Sequence, residues 1–168
     1  MPVSMYDVSV PVLLQGLKGL RGVLAKAAAH AEARKIDPNA LLQARLYPDM
    51  FPVLRQVQIA GDFAKGAAGR LAGAELPVYE DSETGFDDLI ARIDKTMAFI
   101  AGLDPAAIAG SEERDVVLVR RGESQTFKGQ AYLLQQALPN FWFHVTTAYA
   151  ILRHNGVEVG KKDYMGAA

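Results

Sequence analysis

No cysteine occurs among the 168 residues. Disulfides, thiolate nucleophiles and Cys-ligated zinc are therefore excluded within the chain. An excess of charge of either sign is missing too: 18 Lys and Arg stand against 19 Asp and Glu, mixed along the chain. A dedicated nucleic-acid binder needs a basic patch to displace counterions, so no nucleic-acid partner is expected. The densest basic spots, Arg120-Arg121 and Lys161-Lys162, read as solvated surface. No apolar run approaches the ~20 residues of a membrane span. The start, Met1-Pro2-Val3-Ser4-Met5-Tyr6-Asp7, has no basic region leading into an apolar stretch, so it is not read as a signal peptide. A soluble cytoplasmic protein without a membrane partner is the expectation.

Half the residues are hydrophobic, enough for burial to offset chain entropy in one domain over 1–168. Four stretches carry a helical period. In the first, Val10, Leu13, Leu17, Leu20, Leu24, Ala27 and Ala31 recur at steps of three and four. The second carries Val53, Val57, Ala60, Ala64, Ala67 and Leu71, widened by Leu54 and Phe63. The third opens on Thr84-Gly85-Phe86-Asp87, a capping-box variant, and continues through Phe86, Leu89, Ile93, Met97 and Ile100. The fourth runs from Pro139 to Asn155-Gly156 and holds the only Trp and two of the three His. These patterns predict helices near 11–34, 51–72, 85–102 and 139–155. Val116-Val117-Leu118-Val119, the turn Arg121-Gly122-Glu123 and Gln125-Thr126-Phe127 predict a hairpin near 116–128. The fold class expected is all-α, a four-helix bundle with a small β-hairpin between helices three and four. The tail from Val157 to Tyr164 reads as irregular, with Val159 and Tyr164 able to pin it back.

Little in the chain marks a reaction. No Gly-x-Ser-x-Gly elbow is present. Gly156-Val157-Glu158-Val159-Gly160-Lys161 is one residue short of a phosphate loop and follows a helix instead of preceding one. The acid pairs Asp87-Asp88 and Glu112-Glu113 read as caps or solvated faces. His144 shares a helical face with Phe141, Ala148 and Ile151, so it points inward. His154 lies roughly 15 Å further along the axis and some 80° around it, too far to share an ion with His144. His30 reads as exposed. His144 is a hydrogen-bonded core or pocket residue on this pattern, or a ligand to something bound. Of Phe141, Trp142 and Phe143, at least one ring faces away from the core: toward the hairpin, a subunit or a ligand.

Three phrases carry a family resemblance: Leu46-Tyr47-Pro48-Asp49-Met50-Phe51-Pro52 with Arg55-Gln56-Val57-Gln58, then Pro139-Asn140-Phe141-Trp142-Phe143-His144, then Leu152-Arg153-His154-Asn155-Gly156. Over nearly its whole length the chain resembles a bacterial domain-of-unknown-function branch of the DinB/YfiT-like metalloenzyme superfamily. The resemblance implies a four-helix bundle of the superfamily's kind. In the wider superfamily three His bind a divalent metal, one from the second helix and two from an H-x-x-x-H on the last, and some relatives are thiol-dependent transferases or isomerases. Here His144 matches one position of the last-helix pair. Ala148 stands four residues on, Asn140 four residues before, and Gln58 falls roughly where the second-helix His would lie.

The expectation is thus a bundle that has lost the metal triad, with no metal and no cofactor, and that binds a small molecule near His144. Candidate pocket residues are His144, Gln58, Trp142, Tyr47 and Asn140. Tyr6 and Tyr47 stand beside Gln58 as possible partners for the His144 ring, and Asp49 and Asp62 are the first carboxylates to consider for any metal. The alternative is an enzyme of the superfamily's transferase or isomerase type with a replaced metal site. A third reading is a structural or interaction protein. A homodimer is expected, because helix two is apolar over a wide arc and the aromatic triplet leaves rings over.

Overall fold

The computed structural model describes residues 3–166, apart from the Arg120 side chain. Residues 1, 2, 167 and 168 of the expected domain lie outside the described residues, as does the expected solvation of Arg120. In chain order the elements are α1 (Val10–Arg34), α2 (Pro38–Leu42), α3 (Val53–Ala72), α4 (Phe86–Ala101), α5 (Pro105–Ile108), β1 (Asp115–Arg120), β2 (Glu123–Lys128), α6 (Gly129–Tyr132), a π-helical turn (Leu133–Ala137), α7 (Leu138–His154) and α8 (Lys161–Tyr164). The long helices α1, α3, α4 and α7 stand within two residues of their expected bounds. α3 lies against α7 and α4, and α1 against α4, α7 and α8. The apolar positions that set the helical period are buried or partly buried, and they form one continuous cluster.

Local chemistry accounts for the ends. α3 starts at Val53 and not at 51 because Pro52 is extended, with ψ 167°, and serves as the N-cap. The α4 cap is shifted by one residue from the expected box. Gly85 is the N-cap, and the Asp88 carboxylate accepts from the backbone N–H groups of Thr84 (2.9 Å) and Gly85 (3.1 Å). These bonds hold the Asp88 carboxyl below its usual range.

The last helix does not open at Pro139. Helical backbone runs unbroken from Gly129, and the π-helical turn comes immediately before Leu138 and Pro139. Proline has no N–H to donate, and its ring crowds the carbonyl four residues back; a π turn relieves both. The tail is more ordered than expected. Val157 and Val159 are buried, and Lys161–Tyr164 forms a helical turn whose Asp163 accepts from Gly160 N–H at 2.8 Å.

The hairpin pairs Val116 with Phe127 and Leu118 with Gln125. Arg121 and Gly122 both have positive φ, the backbone of a two-residue turn that matches strand twist. Val116 and Leu118 face the helices, while Val117 and Val119 are exposed.

α1 and α7 approach each other closely at Gly16. A Cβ on Gly16 would sit 2.6 Å from Phe141 Cε1, so only glycine admits the Phe141 ring, which is fully buried. Phe141→Ala should therefore cost about 3–5 kcal/mol, a large ring removed from a filled core. Gly16→Ala should cost about 1–3 kcal/mol despite its better helix propensity, because it overpacks the same contact. Urea unfolding of both variants checks this, and a neutral Gly16→Ala would mean the helices slide apart freely.

Candidate functional site

α3 and α7 meet along a seam, and the polar groups on that seam define the site. Gln56 follows Val53 by three residues and precedes Ala60 by four, so its amide lies on the buried stripe. Its Nε2 donates to the Phe51 carbonyl at 3.0 Å. That bond orients the amide and turns Oε1 toward His144 Nδ1, 2.6 Å away. An amide oxygen only accepts, so Nδ1 carries the imidazole proton. Nε2 is left with its lone pair and with no protein partner among the described residues. It is not sealed: among the described residues the buried side-chain polar atoms without partners are Arg92 Nε and Ser111 Oγ.

His144 is 8% exposed. Phe63 stacks on it at 5.8 Å between centroids, and Phe143 meets it edge-on at 5.1 Å. Burial, with a smaller contribution from the Arg55 charge, pushes its pKa below the ordinary 6.5. Desolvation disfavours the imidazolium, so the ring is a neutral acceptor at neutral pH.

The adjoining face of α3 carries a charge network. Arg92 of α4 enters it with a side chain only 3% exposed. It pairs with Asp62 of α3 (3.2 Å), and with Asp81 (3.0 Å) and Glu83 (2.9 Å) of the irregular segment between α3 and α4. Arg55 pairs with Asp81 at 2.5 Å, and Lys65 with Asp62 at 3.2 Å. The ammonium groups of Lys65 and Lys95 each lie 4.1 Å from the centre of the Tyr79 ring. Burial pushes the Glu83 carboxyl up, but hydrogen bonds from Arg92 and Gln58 outweigh it and hold it below the usual range. The network pins the segment that carries Tyr79, Asp81 and Glu83 onto α3 and α4.

The five expected pocket residues do not converge. His144 is at the seam. Gln58 is buried but turns to the charge network, accepting from Arg55 at 3.1 Å and donating to Glu83 at 2.8 Å. Two residues along a helix are 200° of rotation, which is why Gln56 and not Gln58 faces His144. Trp142, two residues before His144, likewise points elsewhere, to Phe141 at 5.0 Å and Tyr164 at 5.9 Å. The Asn140 side chain donates to the Gln136 carbonyl on its own helix at 2.6 Å. Tyr47 is 65% exposed in the loop before α3, and Tyr6 is not a partner of the imidazole. His154 is exposed, and His30 is partly buried where exposure was expected. Sequence reading missed Gln56, Phe63, Arg92 and Glu83 as parts of the site. The signal for Gln56 and Arg92 was a polar side chain inside an apolar helical stripe.

The fold is that of DinB-like proteins. The crystal structure of a DinB family member from Shewanella denitrificans superposes with a TM-score of 0.90, at 42% sequence identity over 97% of this chain and 92% of that one. The chain belongs to the family of the domain of unknown function DUF1993, whose model matches residues 5–165. No curated protein matches it. No described helix is long and apolar enough to cross a membrane.

A three-histidine metal site does not fit these residues. Among the described residues no three His, Asp or Glu side chains are grouped to hold an ion. The position one turn beyond His144 is the buried Ala148, and α3 offers the Gln56 amide. Asp62 is bonded to Arg92 and Lys65.

The depressed His144 pKa has a definite sign. The folded ring binds protons less readily than the unfolded one, so its contribution to stability is present above about pH 6.5 and is lost as the pH falls below that. NMR of the ring should give a midpoint below 6.5, and His144→Phe should flatten the stability profile between about pH 6.5 and 5. A midpoint at or above 6.5 would show the imidazole to be solvated or paired with an acid.

Proposed function

We propose that this protein binds a small organic molecule beside His144, and that it does so without the three-histidine metal of the wider superfamily. One observation carries the reading: Gln56 holds the His144 proton on Nδ1, which presents Nε2 as a neutral, preoriented acceptor without a protein partner. The atom opens to the surface, so water meets it in the free protein, and a ligand N–H or O–H can take the place of that water. Phe63 and Phe143 supply aromatic walls, with Phe143 53% exposed. A few oriented polar groups among apolar ones is the usual make-up of a small-molecule site.

Native mass spectrometry of the purified protein should find a bound organic compound, and elemental analysis after dialysis should find no stoichiometric zinc or nickel. His144→Phe should weaken binding, and because it leaves Gln56 Oε1 without its donor it should also lower stability by about 1–3 kcal/mol, so binding is compared well below the melting temperature. Retention of the compound by that variant at full affinity would remove His144 from the site. One metal per chain would overturn the metal-free part of the reading.

The same Nε2 lone pair favours one second reading, a metal-independent enzyme in which His144 accepts a proton from the bound molecule. Association into a homodimer belongs to the proposal as well. Leu46, Tyr47 and Phe51, each about half-exposed or more, lie in the loop before α3, and Phe143 flanks His144. Exposed apolar groups of this kind favour an interface. Sedimentation at tens of micromolar should give a dimer that Phe51→Ser with Phe143→Ser weakens; a monomer at that concentration would remove the association.

A further inference from the structure

Arg70 is a cation near the site without an anion among the described residues. Arg70, in the last turn of α3, forms no ion pair with any carboxylate of the described residues. Its Nη1 donates to the Tyr132 hydroxyl at 3.0 Å, and its Cζ lies 5.9 Å from the centre of the Tyr132 ring. Its guanidinium lies over Gly66, where any Cβ would collide with Nη1. The side chain is therefore partly buried, held on one side by a glycine shelf and on the other by a tyrosine. A guanidinium has five N–H donors, and the Tyr132 hydroxyl accepts only one of them.

Arg70 and Asp62 line two adjoining cavities on α3, of about 240 Å³ and about 340 Å³. The smaller is also lined by Phe63, by Leu118 and Val119 of the hairpin, and by Tyr132. Its carboxylate, Asp62, is already bonded to Arg92 and Lys65 and is not a partner for Arg70. Phe63 is shared: it lines this cavity and stacks on His144.

We propose that this trough binds a small organic monocarboxylate, with the carboxylate on Arg70 and the apolar body against Phe63, Leu118 and Val119. A planar guanidinium matches a carboxylate with two parallel hydrogen bonds. The walls favour an apolar body over a sugar or nucleotide. This inference rests on the reading of the His144 side of α3 as a ligand site and names the class of molecule it takes.

Benzoate and hexanoate are suitable probes, with benzamide and benzylamine as the neutral and cationic counterparts. Methyl NMR should show Leu118 and Val119 shifting with benzoate and hexanoate, and through Phe63 the His144 ring should shift as well. Benzamide should bind about tenfold more weakly or worse, and benzylamine should not bind. Arg70→Gln should lose the preference for benzoate over benzamide. Arg70→Lys keeps the charge without the fork and should fall between the two. The comparison of benzoate with benzamide uses the unaltered protein, so it decides the matter even where a variant unfolds.

Equal affinity for the two would overturn the carboxylate assignment while leaving a small-molecule site in place. Benzoate that leaves Leu118 and Val119 unmoved would overturn it also, and a compound still held through His144 would then show that the site reading survives. Benzoate held by Arg70 with an unperturbed His144 ring, and bound as well by His144→Phe, would establish the trough and count against the role given to His144.

Discussion

α3 is buried around most of its circumference, so nearly every polar side chain on it has to be met by a partner inside the protein. Thirteen of its 20 residues are buried, Gln56, Gln58 and Lys65 among them. Leaving such groups unpaired would cost more than most single contacts contribute. The partners come from each neighbour in turn: His144 from α7, Arg92 from α4, Glu83 from the segment between α3 and α4, and Tyr132 from α6. The seam, the charge network and the Arg70 trough are thus three faces of one requirement. They are also coupled, because Arg55 bonds to Gln58 and Asp81 and its charge reaches the His144 imidazole.

Arg92 shows how that requirement shapes a segment with no regular structure. A guanidinium only 3% exposed is costly to bury, and its three carboxylates offset the cost only while all stay in place. Two of the three belong to the segment between α3 and α4. Removing Arg92 would leave Asp62 with Lys65 alone and the segment without its main anchor. Tyr79, held between Lys65 and Lys95, would lose its Arg92 neighbour as well. This segment forms one wall of the larger cavity beside Arg70, through Leu76, Pro77, Val78 and Tyr79. A buried ion cluster therefore sets the shape of the trough beside it, with Asp62 and Lys65 belonging to both.

The helices were legible because each declares itself by a period. The stripes of α1, α3, α4 and α7 needed no tertiary information, and Val116 to Val119 with Arg121-Gly122 marked the hairpin. The seam was legible only in half. His144 stood out as an inward histidine, but the choice between Gln56 and Gln58 depends on which flank of α3 faces α7, and a period does not give the rotation of one helix against another. Trp142 was drawn toward the site by its rarity, whereas its direction follows from its two-residue offset from His144. Asn140 was satisfied by its own helix through the Gln136 carbonyl. The π turn before Pro139 follows from where the preceding helical turns happen to end, which the proline alone does not reveal.

Orientation of the Gln56 amide bears on what His144 offers to a guest. A histidine that ligates a metal through Nε2 often donates its Nδ1 proton to a carbonyl or carboxylate, and the bond from His144 to Gln56 has that same form. The hydrogen bond taken alone thus suits an ion as well as an organic ligand, and the distinction lies in the surroundings. A divalent ion needs several anionic or imidazole donors converging on one point, and a single imidazole with neutral neighbours holds it weakly. The carboxylates on this side of α3 are committed to Arg92, Arg55 and Lys65. To capture an ion they would have to leave cations buried without partners. A neutral hydrogen-bond donor makes no such demand. It would meet Nε2 without disturbing the charge network and would gain aromatic contact from Phe63 and Phe143. The same ion pairs that hold the segment between α3 and α4 on the protein therefore weigh the site toward an organic guest.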